Sequence, residues 1–242
     1  MRLDKLLADA GCGTRSEVKE LVRKGRVSVN GTVVRDSGTA VKDTDEVNVA
    51  GRPVRLADVT AKHWYMLNKP AGIVSANSDR NDDTVIELFK GEGVKGLFTV
   101  GRLDKDTEGL LLVTDVGELG HFLLSPGREV EKTYYARVAG VLQKEHIEAF
   151  SRGFEFKEFT SKPAVLRILT ADAKSGVSEA LVTVTEGKFH EVKRLVAAVG
   201  CEVTYLRRVR FAGLELDESL ETGQYRKLRE DEIDVLKKSV GK

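Results

Sequence analysis

The chain of 242 residues has two cysteines, Cys12 and Cys201. That is too few for a disulfide framework or a four-cysteine metal site, and lone thiols fit a reducing compartment. No window approaches the roughly 20 apolar residues that a membrane span needs. The opening residues, Met1-Arg2-Leu3-Asp4-Lys5-Leu6-Leu7, carry charge throughout and lack the apolar stretch of a signal peptide. A cytoplasmic protein with no membrane association is therefore expected. Gly-rich nucleotide loops are absent, and His190 has no His or Cys partner at ligand spacing, so neither a cofactor nor a metal is expected. An excess of one charge is missing too: 39 Lys and Arg face 38 Asp and Glu. Net charge thus makes no whole-protein case for nucleic acid, and no repeat or low-complexity segment stands out.

What is present suits a globular protein with a core, at 41% hydrophobic and 32% charged residues. The length allows one large domain or a small one followed by a medium one. Residues 1–57 hold 11 basic and 8 acidic side chains against 28 and 30 in the remainder, so the front end is mildly basic. Leu3, Leu6, Leu7 and Ala10 make one apolar stripe on a short helix that Gly11 and Gly13 should stop. Thr14 and Glu17 form a capping box for a second helix with Val18, Leu21 and Val22 inward. That helix carries Arg15, Lys19, Arg23 and Lys24. Next come Val27 to Val29, the hairpin pair Asn30-Gly31 and Thr32 to Val34, then a strand over 45–49 and a turn at Ala50-Gly51-Arg52-Pro53. A basic helix followed by a small sheet can grip phosphates, although such a face is also an ordinary solvated surface.

The centre of the chain is Gly101-Arg102-Leu103-Asp104-Lys105-Asp106-Thr107-Glu108-Gly109, between the apolar runs 97–100 and 110–113. Short apolar runs bounded by glycine read as buried strands. Asp104 is then a carboxylate in a tight connection between two fixed elements, which suits a catalytic group and equally suits a turn residue capping a backbone N–H. Upstream, 63–67 reads as a strand ending in Asn68-Lys69-Pro70-Ala71-Gly72, a rigid turn favoured as scaffold. Short helices are expected at 85–89, 119–124 and 145–150, and strands at 131–138, 164–169 and 178–185. Residues 192, 195, 196 and 199 give helical spacing after His190, a strand with three arginines spans 204–214, and a helix covers 230–238.

Several of these stretches carry resemblances. Residues 2 to about 50 resemble the S4-like RNA-binding module shared by a ribosomal small-subunit protein, tyrosyl-tRNA synthetases and many RNA modifiers. Thr14, Ser16 and Val18 are mild departures from its pattern. GRLDKDTEGLLLVT resembles the catalytic motif of the RluA/RsuA superfamily of pseudouridine synthases, in which the Asp is essential. NKPAG at 68–72, EKTYYARV at 131–138 and EGKFHEVKRLVAAVG at 186–200 are similar to further motifs of that superfamily, in its order. The departures are Glu191 where Gln is commoner and Leu195 where Met is commoner.

The resemblance implies an α+β protein: an S4-like module at 1–57, a linker at 58–62 and a mixed, mainly antiparallel-sheet catalytic domain at 63–242. It implies isomerisation of uridine to pseudouridine without a cofactor, on a flipped or unpaired nucleotide. Asp104 would act at the sugar or the ring, Tyr134 would stack on the uracil and Lys193 would pair with Asp104. Arg102 would fill the gap left by the flipped base, and Arg15, Lys19, Arg23, Lys24, Lys188, Arg207 and Arg208 would contact RNA. The small-subunit branch fits best, so the expected partner of a monomeric enzyme is 16S rRNA or a partly assembled small subunit, with 23S rRNA as the alternative. Two rival classes are an N-glycosidase or ribonuclease pairing Asp104 with Asp106 or Glu108, and a non-catalytic ribosome assembly factor.

Overall fold

The computed structural model describes residues 1–10, 12–42, 44–54 and 62–241. The expected linker lies outside these residues apart from Lys62, as does Gly11. The chain divides into two compact units, Met1–His63 with Gly93–Gly96, and Trp64–Glu92 with Leu97–Lys242.

In the first unit, α1 (Leu3–Asp9) and α2 (Arg15–Arg23) bury Leu3, Leu6 and Leu7 against Val18 and Val22. The capping box forms as the sequence indicates: Glu17 N donates to Thr14 Oγ1 at 3.3 Å, and Thr14 N donates to Glu17 Oε2 at 2.7 Å. Strands β1 (Val27–Val29), β2 (Thr32–Val33), β3 (Val47–Val49) and β4 (Arg52–Val54) form an antiparallel sheet in the order β2-β1-β3-β4. Asn30 and Gly31 both take positive φ, as a two-residue hairpin turn requires. Arg52 and Pro53 correct the expected turn, because they belong to β4. Pro53 sits opposite Asn48 on the edge strand, where its missing N–H breaks no ladder.

The second unit is built on a nine-stranded sheet. Its members are β5 (Trp64–Lys69), β6 (Phe98–Val100), β7 (Glu108–Thr114), β8 (Lys132–Ala139), β9 (Val165–Asp172), β10 (Val177–Val184), β11 (Glu202–Phe211), β12 (Leu214–Glu215) and β13 (Tyr225–Lys227). The main path is β13-β5-β7-β11-β8-β10-β9, with β6 on β7 and β12 on β11. The pairs are antiparallel except β7–β11, where Arg208 lies opposite Gly109. Gly109 has φ +100°, and a Cβ there would stand 2.8 Å from the Arg208 backbone N and meet the Arg208 carbonyl oxygen. Only glycine permits both that dihedral and that approach.

Helices complete the layers: α3 (Gly117–Leu124), α4 (Lys144–Arg152), α5 (Glu191–Ala198) and α6 (Glu230–Ser239). Leu119, Leu123 and Leu236 from α3 and α6 join one core with Trp64, Met66, Leu110 and Leu112. Phe150, Val192, Leu195 and Val196 from α4 and α5 join a second core with Ala136, Val138, Ala180 and Val182. Burial at about 25 cal/mol per Å² of apolar surface drives both. Among the described residues, no helix is long and apolar enough to cross a membrane.

Candidate active site

β11 lies between β7 and β8, and this arrangement sets the site. The residues leading into β7 carry Asp104, and β8 carries Tyr134. Asp104, Tyr134, Arg102, Lys188, Lys132 and Arg208 all line one cavity of about 1190 Å³ in the second unit. Three motifs far apart in sequence thus meet at one opening.

The Asp104 loop is clamped from below. Lys69 is fully buried, and its Nζ donates to the carbonyl oxygens of Pro70 (2.8 Å), Asp104 (3.2 Å), Lys105 (3.4 Å) and Thr107 (3.0 Å). Burial lowers its pKa to about 8, with the charges of Asp106, Asp104 and Glu108 opposing the fall. Ser75 Oγ donates to Leu103 O at 3.0 Å and accepts from Leu103 N at 3.1 Å. Gly72 N donates to Lys105 O at 2.8 Å, and Thr107 N to Asp104 O at 3.1 Å. Asn68 and Lys69 correct the expected turn, because they belong to β5 and pair with β7, and Lys69 is the part that reaches the loop. Neither Lys69 nor Ser75 was singled out from sequence. A lone charged residue closing an apolar strand beside Pro-Ala-Gly was the available signal for Lys69.

The Asp104 carboxylate is half-buried. Lys193 Nζ, from α5, stands 3.4 Å from its Oδ2 and His190 Nε2 stands 3.7 Å away. Lys193 makes its shorter contacts to Asp106, at 2.7 and 2.8 Å. That hydrogen bond leads the causes holding the Asp106 pKa below the usual carboxylate range. His190 has φ 52° at the N-terminus of α5 and stacks on Phe189 at 3.7 Å between ring centroids. Phe189 is 69% exposed and lines the cavity, a large aromatic that sequence reasoning passed over. Its signal was an apolar ring inside the polar run Gly187-Lys188-Phe189-His190.

The other cations fall into three groups. Arg102 and Lys188 are exposed and line the cavity. Arg15, Lys19 and Arg23 are exposed at i, i+4 and i+8 of α2, sharing one helix face of the first unit, and Lys24 pairs with Glu20 at 2.7 Å. Arg207 and Arg208 point to opposite faces of β11, as successive strand residues must. Arg207 does not line the cavity, whereas Arg208 does. Arg208 corrects the expectation of a surface phosphate contact: it is 2% exposed, and its Nε donates to Leu110 O at 2.7 Å.

The acid pair of the rival hydrolase reading does not form across the cavity. Asp106 is turned to Lys193, and Glu108 accepts from the Tyr205 hydroxyl at 2.7 Å. Neither lines the cavity with Asp104.

A carboxylate beside a cation, with aromatic rings lining the same open cavity, fits an enzyme that takes in a flat polar ring attached to an anionic chain. Comparison with known proteins sharpens that class. The RNA pseudouridylate synthase family matches residues 63–198, and the S4 domain matches residues 1–47. A Bacillus subtilis protein described as an uncharacterized RNA pseudouridine synthase is 43% identical over 239 residues, 98% of each chain. Ribosomal small subunit pseudouridine synthase A of Vibrio cholerae is 39% identical over 236 residues, 96% of this chain and 98% of the relative. A solved pseudouridylate synthase is 34% identical with a TM-score of 0.68, covering 98% of this chain and 99% of the other. The chain belongs to the RNA pseudouridylate synthase family, with an S4 domain ahead of the synthase domain, and it is an enzyme of uridine isomerisation.

Proposed function

We propose that this pseudouridine synthase acts on ribosomal RNA, at a uridine of 16S rRNA, free or in a partly assembled small subunit. The carrying observation is that Asp104 and Tyr134 line one open cavity, with Lys193 standing 3.4 Å from the Asp104 carboxylate, in the family's motif order. The substrate assignment draws on the Vibrio cholerae relative, whose name states the small ribosomal subunit. The enzyme would work as a cytoplasmic monomer, with residues 1–57 as the RNA grip and 63–242 as the catalytic domain.

Isomerisation breaks the bond from C1′ to N1, turns the uracil and joins C1′ to C5. The C5 proton leaves and a proton returns to N1, so nothing is oxidised and no group is added. A base within a duplex cannot reach Asp104, so the nucleotide enters flipped out, which costs a few kcal/mol and least at an unpaired site. Asp104 is the group that acts on the sugar or the ring as the bond to N1 breaks. Lys193, at 3.4 Å, helps hold the carboxylate in place by its charge. Tyr134 offers its ring as the stacking surface. Arg102 takes the place vacated by the base, Lys188 meets phosphate at the mouth, and Arg207 meets RNA on the other face of β11. Arg15, Lys19, Arg23 and Lys24 neutralise backbone phosphates through the first unit, a contribution that falls with salt.

The test is pseudouridine mapping by carbodiimide labelling and reverse-transcription stops on unmodified 16S and 23S rRNA. One new stop in 16S rRNA is expected. A stop confined to 23S rRNA would overturn the substrate assignment and keep the chemistry. RNA binding with no stop in either would point to the assembly-factor reading.

A further inference from the structure

The cavity floor holds two cations that the roles above leave unused. Arg208 is 2% exposed, and its Nη2 is buried with no hydrogen-bond partner. Its Nε is taken by Leu110 O, and its guanidinium lies 4.8 Å from the Phe211 ring centroid. Among the described residues it has no ion pair with a carboxylate. Lys132 is the second cation. Its Nζ donates to Val130 O at 2.7 Å and stands 5.7 Å from the same Phe211 ring. A buried donor with nothing to bind is costly, and the cost is removed when an acceptor arrives.

The register says what that acceptor is. Arg208 is the direct cross-strand partner of Tyr134 and lies opposite Gly109 of β7, five residues after Asp104. Lys132 is two residues before Tyr134, on the same face of β8. A ring between Asp104 and Tyr134 therefore lies over the strand position that carries Arg208. When the C1′–N1 bond breaks, its electron pair stays with the uracil, and the charge spreads from N1 onto O2 and O4. The pair returns to covalent use when C5 bonds to C1′, C5 gives up its proton and N1 takes one up from solvent. Between those events the detached ring is an anion in a site lined by a guanidinium and an ammonium.

We propose that Arg208, with Lys132 beside it, is the catalytic donor pair that takes up the negative charge on uracil while the ring is detached. The inference rests on reading Tyr134 as the surface that holds the uracil. A phosphate is the less fitting ligand, because it must stay connected to a chain outside, and Arg102 and Lys188 already offer exposed cations on the same cavity. Preorganised donors aimed at developing charge contribute about 10²–10³ in rate each when they are intact.

The test compares single-turnover rates on RNA carrying uridine or 5-fluorouridine at the target site. Fluorine at C5 stabilises the uracil anion, so a variant short of anion stabilisation should regain rate on that substrate. Disappearance of the N-linked nucleoside is the readout, with RNA affinity measured alongside. Arg208→Gln is expected to lose about 100-fold or more on uridine and about 10-fold or less on 5-fluorouridine, with RNA affinity changed less than about twofold. Lys132→Gln should shift the same way by a smaller factor, and it supplies the comparison if Arg208→Gln does not fold. Equal losses on both substrates, or a loss of affinity alone, would overturn the proposal, the latter in favour of a phosphate site. A wild-type protein that converts no uridine would overturn the activity reading, and this inference with it.

Discussion

Glu191 is the most informative single position for stability. It opens α5, is 6% exposed, and accepts from Lys188 N at 3.3 Å. Burial first, then a hydrogen bond and repulsion from Glu186, push its pKa from 4.5 to about 8, with the charge of Lys132 opposing the rise. A carboxyl whose pKa is raised on folding stabilises the protein fully below its unfolded value. That contribution is lost as pH climbs from 4.5 through about 8. Glu191→Gln removes the titration while keeping size and shape. A shift of about 3.5 units at about 1.4 kcal/mol each sets a ceiling of roughly 5 kcal/mol on the gain at pH 8.5. An amide donates to the Glu186 carboxylate less strongly than a carboxylic acid does, so the expected gain is on the order of 2–3 kcal/mol. Near pH 5, where wild type keeps most of that contribution, the variant should be about 1–2 kcal/mol less stable, and the two proteins should cross as the pH rises. By thermal unfolding this reads as a rise of roughly 5–10 °C at pH 8.5, at about 2–4 °C per kcal/mol for a chain of this size. A difference that stays flat from pH 5 to 9, or a variant less stable at pH 8.5, would refute the reasoning.

Lys69→Met should separate stability from activity. It removes a charge that burial already disfavours but frees the carbonyls of Asp104 and Thr107, so about 1–3 kcal/mol of stability is lost. Loosening the Asp104 loop should cost about 100-fold in kcat, since small misplacements of a reacting group are expensive. A variant unchanged in both denaturant midpoint and kcat would contradict the clamp. Gly109→Ala should destabilise the protein by more than about 2 kcal/mol, because the dihedral and the contact with β11 both forbid a Cβ. A denaturation midpoint equal to wild type would contradict the close β7–β11 approach.

Much of the fold follows from local signals. The Thr14–Glu17 box, the Asn30-Gly31 hairpin and the apolar runs flanking Asp104 are short-range patterns with one physical solution each, and the structure adopts them. β12 and β13 went unread because each has three residues or fewer, too short for alternation to register. The two faces of β11 were open to reading by period two: Leu206 is buried, so Arg208 should be too, whereas Arg207 should not. The irregularity between Arg208 and Arg210 then lets Arg210 leave that face while Phe211 turns inward. What sequence alone could not supply is the placement of β11 between β7 and β8, since those pairings join residues about 60 to 100 positions apart. The meeting of Asp104 with Lys193 depends on the same long-range packing, and here the motif resemblance supplied what spacing could not.

The central claim is that Asp104 converts uridine to its C5-linked isomer, a reaction that must release the C5 hydrogen to solvent. Tritium release from rRNA labelled at uridine C5, compared between wild type and Asp104→Asn, tests this most directly. The account predicts stoichiometric release at one site with wild type and none above background with Asp104→Asn, at unchanged RNA affinity. Release by the Asn variant at a rate within about tenfold of wild type would contradict it, because a neutral amide can neither capture C1′ nor take a proton as a carboxylate does.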